Sequence, residues 1–378
     1  MPLKLLLILL GSFSLSVLIT PFLRRIAIEN NLVDVPDERK IHREIIPRVG
    51  GISIAISFFT AVVLAYSLFH GDLTTSISSL TGICIGGALI FLVGVLDDIK
   101  GLNAPKKFAG QILAALALVP FGFLIKTLEI PFIGTVHLIS FFGLGLTIVW
   151  VVVITNALNL IDGMDGLASG VVIIASIVLA IFSILSGKLL MAIVLIAILG
   201  STSGFLLHNW HPAKIFMGDC GAMFLGFLLA AVSIKISYQS TTANAIFVPI
   251  LALGLPIIDR KPLASCLCVV LMKASIRNSI DEYKAQSVSL ANTIAAISRR
   301  LWHRKPLFSA DKEHIHHKLL DAGFTVRQAA LILYGVCVLL GVMGLVTTMV
   351  RSSIAVGIVV GVALVDYVSV IMLRRQGG

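Results

Sequence analysis

The sequence predicts an all-α protein that crosses a membrane about eleven times. Three observations carry this expectation. Hydrophobic residues make up 58% of the 378-residue chain and charged residues only 13%. Mean hydropathy is +1.03, above the globular norm. Apolar runs of near-bilayer length recur along the chain, and its Lys and Arg gather in alternate loops.

The first run, 5–23, has no small-residue cleavage site and passes into Pro21, Arg24 and Arg25. It reads as a retained helix rather than a removed signal peptide. Further spans are expected at 51–69, 76–96, 108–125, 138–158, 167–187, 189–207, 220–238, 242–258, 329–350 and 353–373. An odd number of spans puts the two termini on opposite sides. With this threading, 24 of the 29 Lys and Arg fall on one side; the other keeps Lys4, Lys126, Lys188, Lys235 and Arg351. The positive-inside rule makes the rich side cytoplasmic, with the N-terminus outside and the C-terminus inside. The net charge of +10 is therefore accounted for by the membrane, and no nucleic-acid partner is expected. The five cysteines form no CxxC pair, so neither a disulfide framework nor a zinc site is expected.

The residues with chemical potential collect on the cytoplasmic side. In order they are "LVDVPDERKIHREIIPRVGG", the pair Asp97–Asp98 with "KGLNAPKKFAGQ", "TNALNLIDGMDGLASG", "HNWHPAKIFMGDCGA", and a long loop containing "FSADKEHIHHKLLDAGF". The opposite loops carry little, although "KTLEIPFIGTVHLIS" alternates enough to form a small hairpin.

Asp97, Asp98, Asp162, Asp165 and Asp219 all lie within a few residues of a predicted helix end on that one side. For Asp165 and Asp219, which precede predicted helices, an N-cap role is a sufficient alternative. It does not suit Asp97 and Asp98, which close a predicted helix where the macrodipole disfavours anions. Carboxylates clustered at a water boundary suit a hard divalent cation such as Mg²⁺, which shares its oxygen ligands with substrate phosphates. The run His314, His316 and His317, flanked by Lys312 and Lys318, lacks the further ligands of a zinc site. It reads either as a surface run or as a patch that donates to phosphate and handles protons. "DGMDG" and "MGDCG" place Gly beside Asp before a helix, an arrangement open to phosphate. Asn156 and Asn159 share a helical face, for interhelical bonding or for the site. The combination suits a reaction between a soluble phosphorylated donor and a lipid phosphate. A secondary transporter would instead carry its charges near mid-bilayer on broken helices.

In that order, "DVPDERKIHREIIPRVGG", "LDDIKGLNAPKKFAGQ", "NALNLIDGMDGLA", "FMGDCGAMFLG" and "HIHHKLLDAGFTVRQ" resemble the signatures of the polyprenyl-phosphate N-acetylhexosamine-1-phosphate transferases. "RKIH" and "HIHH" look more like the UDP-GlcNAc branch than the MurNAc-pentapeptide branch. The resemblance implies that Asp219 ligates Mg²⁺ (or Mn²⁺), and that Asp97 and Asp98 bind or activate phosphates with Lys106 or Lys107 nearby. It implies that Asp162 and Asp165, with Asn159, line the nucleotide and reaction centre, and that Asn209 and Phe216 contact the nucleoside. His316 and His317, with His314, would sit at the pyrophosphate, while Arg39, Lys40, His42, Arg48 and Asp259 complete the substrate-binding set.

The implied reaction moves a sugar-1-phosphate from a UDP-N-acetylhexosamine, UDP-GlcNAc first, to undecaprenyl phosphate. Another UDP-N-acetylhexosamine or the MurNAc-pentapeptide nucleotide is the alternative donor. The implied setting is the inner (plasma) membrane, in contact with lipid, with the site on the cytoplasmic face and a homodimer as the assembly. Two departures stand out. Ala222 replaces the usual Ser after "GDxG", and residues 260–292 read as an insertion, continuing into an amphipathic pattern from Ile276 to Leu301.

Overall fold

The computed structural model describes residues 1–30, 32–34, 46–73, 76–130, 134–238, 319–320 and 323–347. The chain opens with α1 (Pro2–Glu29), a strand pair β1 (Val33–Asp34) and β2 (Ile46–Pro47), α2 (Gly51–Leu68), a short α3 (His70–Leu73) and α4 (Ile77–Lys100). α5 (Ala104–Leu118) follows, then β3 (Thr127–Ile130), β4 (Gly134–His137), α6 (Ser140–Ile161), α7 (Leu167–Leu185), α8 (Leu189–Asn209), α9 (Gly218–Tyr238) and α10 (Val326–Thr347).

Eight of these described helices are long and apolar enough to cross a membrane: α1, α2, α4, α6, α7, α8, α9 and α10. Each answers an expected span to within a few residues, with α1 running past both expected ends. The expected spans 242–258 and 353–373 lie outside the described residues, as do the insertion at 260–292 and its amphipathic continuation. The segment expected at 108–125 is shorter than foreseen. α5 has 15 residues, about 22 Å of helix against a hydrocarbon core of about 30 Å. Pro120, in a single 3₁₀ turn, and Gly122 at φ +81° end it. The outer hairpin is present, with β3 antiparallel to β4 from Thr127↔His137 to Ile130↔Gly134.

α9 is the hub. Phe224, Leu225, Phe227, Leu228, Leu229, Ala230 and Ala231 are fully buried, as a helix apolar all round must be. Its neighbours approach through glycines, as membrane helices do in the absence of a hydrophobic drive between them. A Cβ on Gly51 of α2 would lie 2.1 Å from the Gly221 nitrogen, and one on Gly94 of α4 would lie 2.4 Å from the Cys220 Cα. A Cβ on Gly226 would lie 2.8 Å from Thr155 Cα of α6. α1 lies on α8 in the same manner, with Gly200 against Ser12 and Gly204 against Phe13. These contacts bring one end of α4, α5, α6, α8 and α9 together.

Candidate functional site

The centre of that end is the first turn of α9. The helix starts at Gly218, two residues before the expected Cys220, so Asp219 lies inside it rather than capping it. The cap comes from another helix. Asp98 Oδ1 accepts the Asp219 backbone N–H at 2.8 Å, and Asp98 Oδ2 accepts the Cys220 N–H at 2.9 Å. An anion at the C-terminal end of α4 thus meets the N-terminal dipole of α9, which favours it. α4 runs on through both aspartates to Lys100 and closes on Gly101 at φ +63°. Asp97 is held by the loop it starts, with its Oδ1 accepting the Leu102 N–H at 2.7 Å.

Lys107, on the first turns of α5, joins the two remaining carboxylates. Its Nζ lies 2.6 Å from Asp97 Oδ2 and 3.0 Å from Asp219 Oδ2. The Asp97 side chain is 7% exposed, that of Lys107 17% and that of Asp219 24%, so the triad opens to solvent mainly at Asp219. The Asp97 and Asp219 carboxyl groups are within hydrogen-bonding reach of each other, and the Asn159 side chain lies near Asp219. Two carboxyl groups in contact are tolerated only with positive charge or a shared proton between them. Lys106, the neighbour of Lys107, is exposed, and its backbone N–H meets the Asn103 cap.

Asp162 follows the end of α6 and joins the same field. Burial pushes its carboxyl well above the ordinary range, the charges of Asp219 and Asp98 push it further, and Arg48 opposes them. Arg48 belongs to the β2–α2 turn, whose backbone is sewn to the approach to α9. Phe216 N–H donates to Pro47 O at 2.8 Å, Gly50 N–H to Phe216 O at 2.9 Å, and Gly51 N–H to Met217 O at 2.7 Å. Phe216 is half-buried on this seam.

Asp165 takes a different part from the cap foreseen as its alternative, because α7 starts on Gly166 at φ +73° with no side-chain cap. Its Oδ2 lies 2.7 Å from His211 Nδ1 and accepts the Ala213 N–H at 3.1 Å. Asn209 is buried, and both ends of its amide make bonds within the protein. Its Oδ1 accepts the Gly166 N–H and the Ser169 hydroxyl, and its Nδ2 donates to Ile215 O at 3.0 Å. Asn156 and Asn159 also divide. Asn156 forms a reciprocal amide pair with Gln111 of α5, while Asn159 reaches Asp219. Ala222 is fully buried.

Asp97, Asp98, Lys107 and Asp219 therefore meet, with Asn159 near Asp219, Asp162 and Arg48 in the same electrostatic field, Phe216 on the adjoining seam, and Asp165 and Asn209 tying the neighbouring loops. Arg39, Lys40, His42, Asp259, His314, His316 and His317 lie outside the described residues. Three residues that the sequence did not single out also belong here: His211, Arg327 and Tyr334. Arg327 donates to the His211 carbonyl and Tyr334 to that of Gly166. Their spacing of seven on one helix was the available signal.

Among the described residues no three His, Cys, Asp or Glu side chains group as a metal centre. The paired carboxyls of Asp97 and Asp219, all-oxygen and backed by Asn159, nonetheless fit a hard cation that takes one or two protein carboxylates and fills its other positions with water and phosphate.

Comparison with known proteins finds relatives over most of the chain. Glycosyl transferase family 4 matches residues 80–237, the stretch from α4 to α9 that holds all five of these aspartates. A probable undecaprenyl-phosphate N-acetylglucosaminyl 1-phosphate transferase of Bacillus subtilis is 35% identical over 317 residues, covering 84% of this chain and 77% of that protein. A decaprenyl-phosphate N-acetylglucosaminephosphotransferase of Mycolicibacterium smegmatis is 33% identical over 377 residues, covering 95% and 86%. A phospho-N-acetylmuramoyl-pentapeptide-transferase of Listeria innocua is 33% identical over 234 residues, covering 59% and 71%.

Proposed function

Since the chain belongs to glycosyl transferase family 4, as a phosphotransferase of the polyprenyl-phosphate N-acetylglucosamine-1-phosphate transferase type, we propose that it moves N-acetylglucosamine-1-phosphate from UDP-GlcNAc to undecaprenyl phosphate. The step would open the synthesis of a cell-envelope polysaccharide at the plasma membrane. The N-terminus would lie outside, the C-terminus and the site on the cytoplasmic side, and the chain would pair as a homodimer. The observation that carries the reading is the junction of Asp97, Lys107, Asn159 and Asp219 on the first turn of α9, held by Asp98.

A phosphate oxygen of the lipid attacks the β-phosphorus of the nucleotide sugar. The bond from that phosphorus to the bridging oxygen breaks, and UMP leaves with the electron pair. One phosphoanhydride replaces another, so the reaction runs both ways and excess UMP drives it back. Asp219, with Asp97, would hold Mg²⁺ (or Mn²⁺), which supplies Lewis-acid charge neutralisation at the diphosphate. The protein's part is mainly positioning and charge. Lys107 brings a fixed ammonium to the phosphates, and Asn159 orients the Asp219 carboxylate. Asp98 has both oxygens committed to backbone N–H groups, so its work is to fix Asp219 rather than to meet phosphorus. Asp162 shares the field of these carboxylates and holds its proton more tightly than an ordinary carboxyl does, because burial and the charges of Asp219 and Asp98 disfavour its anion.

The test is a panel of labelled UDP-sugars given to the purified protein with Mg²⁺ and undecaprenyl phosphate. UDP-GlcNAc should give a labelled lipid and free UMP, and EDTA should stop both. Transfer only from the MurNAc-pentapeptide nucleotide would move the chain to the other branch, and no lipid product from any donor would end the reading.

A further inference from the structure

We propose that Arg327 and Tyr334 of α10 are positioning residues for the transfer, clamping the loop that carries Asp162 to the loop that leads into α9 and Asp219. The inference rests on the transferase reading for its consequence and on independent contacts for its geometry.

The two residues are seven apart, two turns of one helix face. Arg327 Nε and Nη2 both donate to the His211 carbonyl oxygen, at 3.1 and 3.0 Å. The Tyr334 hydroxyl donates to the Gly166 carbonyl oxygen at 2.6 Å. One rigid element thus grips the loop after α6 at Gly166 and the loop before α9 at His211. The same loops are also tied to each other, through Asp165 on His211 and Ala213 and through Asn209 on Gly166 and Ile215. Asp162 lies four residues before Gly166 and Asp219 eight after His211. Any slack in the clamp is delivered to the carboxylates of the reaction centre.

The fit around Tyr334 points the same way. A Cβ on Gly170 would lie 2.0 Å from Tyr334 Cζ, so the ring occupies a notch that only glycine leaves open. The Trp210 ring lies beside it, 6.2 Å between centroids. Packing alone would be served by Phe. The hydroxyl adds a directed bond to a carbonyl that already accepts the Gly170 N–H at 2.9 Å. Displacing reacting groups by about 1 Å costs on the order of a hundredfold in rate, so partial loosening should show in turnover before it shows in folding.

The experiment compares Tyr334→Phe, Arg327→Gln and Arg327→Lys with the wild-type full chain in detergent or nanodiscs. It reads kcat, KM for UDP-GlcNAc, thermal midpoint, and hydrogen exchange over residues 162–166 and 210–217. Tyr334→Phe and Arg327→Gln should each lower kcat about tenfold, a fraction of the full misplacement effect, with KM and thermal midpoint little changed. Exchange should rise in both loops, and Arg327→Lys should recover part of the loss. Unchanged kcat with unchanged exchange would overturn the clamp, as would a kcat loss that only tracks the loss of folded protein. If the wild-type chain transfers nothing, the transferase reading fails. Raised exchange in the variants would then still support the clamp's geometry, and unaltered exchange would refute it. Should Arg327→Gln not fold, the two conservative variants decide alone.

Discussion

Asp98 shows how far a single residue can be read. Its position beside Asp97 at the end of an apolar run marks a site, because an anion there has no place in its own helix. What neutralises it was not legible, since its partners are backbone N–H groups more than a hundred residues away. Lys107 was legible only as one of two adjacent lysines, and the fold selects it over Lys106. Asp219→Asn should abolish lipid-linked product in the labelled-donor assay while leaving folded protein, because the paired carboxylates lose the charge that would hold the metal. Lys107→Met should lower both transfer and stability. Breaking a buried ion pair costs about 3–5 kcal/mol, and solvent access to Lys107 sets the expectation at or below the low end. Thermal unfolding in detergent, read beside the transfer assay, checks it. Asp162 allows a pH prediction. Its carboxyl is raised in the fold, so the folded chain binds the proton more tightly and stability falls as pH rises through the raised value. Thermal midpoints at pH 5 and pH 8, with EDTA present, should differ less in Asp162→Asn than in wild type.

At the level of elements, apolar length and turn residues located the membrane helices well, and the alternation in 126–140 located the hairpin. Ends were read less well, for identifiable reasons. α9 begins early because a cap from α4 satisfies N–H groups that a local reading leaves exposed. α5 ends early because Pro120 and Gly122 stop it where the hydropathy continues. The glycines of "MGDCG" looked like an opening for phosphate, yet Gly221 chiefly lets α9 touch α2 at Gly51. Gly51→Ala tests that use. A methyl so close to the Gly221 backbone cannot be relieved by a rotamer, and overpacking of this kind costs about 1–3 kcal/mol or more. The variant should show a lower thermal midpoint and poorer yield, whereas Gly71→Ala, with open space around it, should match wild type.

For the whole molecule, charge placement and signature order grouped distant segments before any contact was known, and the described parts of those segments do meet at one end of the bundle. Composition could not reveal the ties between loops, because Arg327 falls in a signature with no role assigned to it and Tyr334 looks like an ordinary aromatic within an apolar helix. The apparent insertion at 260–292 belongs to this scale. Deleting it should leave turnover unchanged or improved in the transfer assay, and complete loss would show that it is part of the working protein. The bond between Asp98 and α9 has a mechanical consequence as well. The first turn of α9 hangs from the last turn of α4, so Asp219 moves with a helix whose tilt depends on the thickness of the surrounding lipid. Turnover is therefore expected to vary with bilayer thickness, and transfer assays in nanodiscs of short-chain and long-chain lipid would check it.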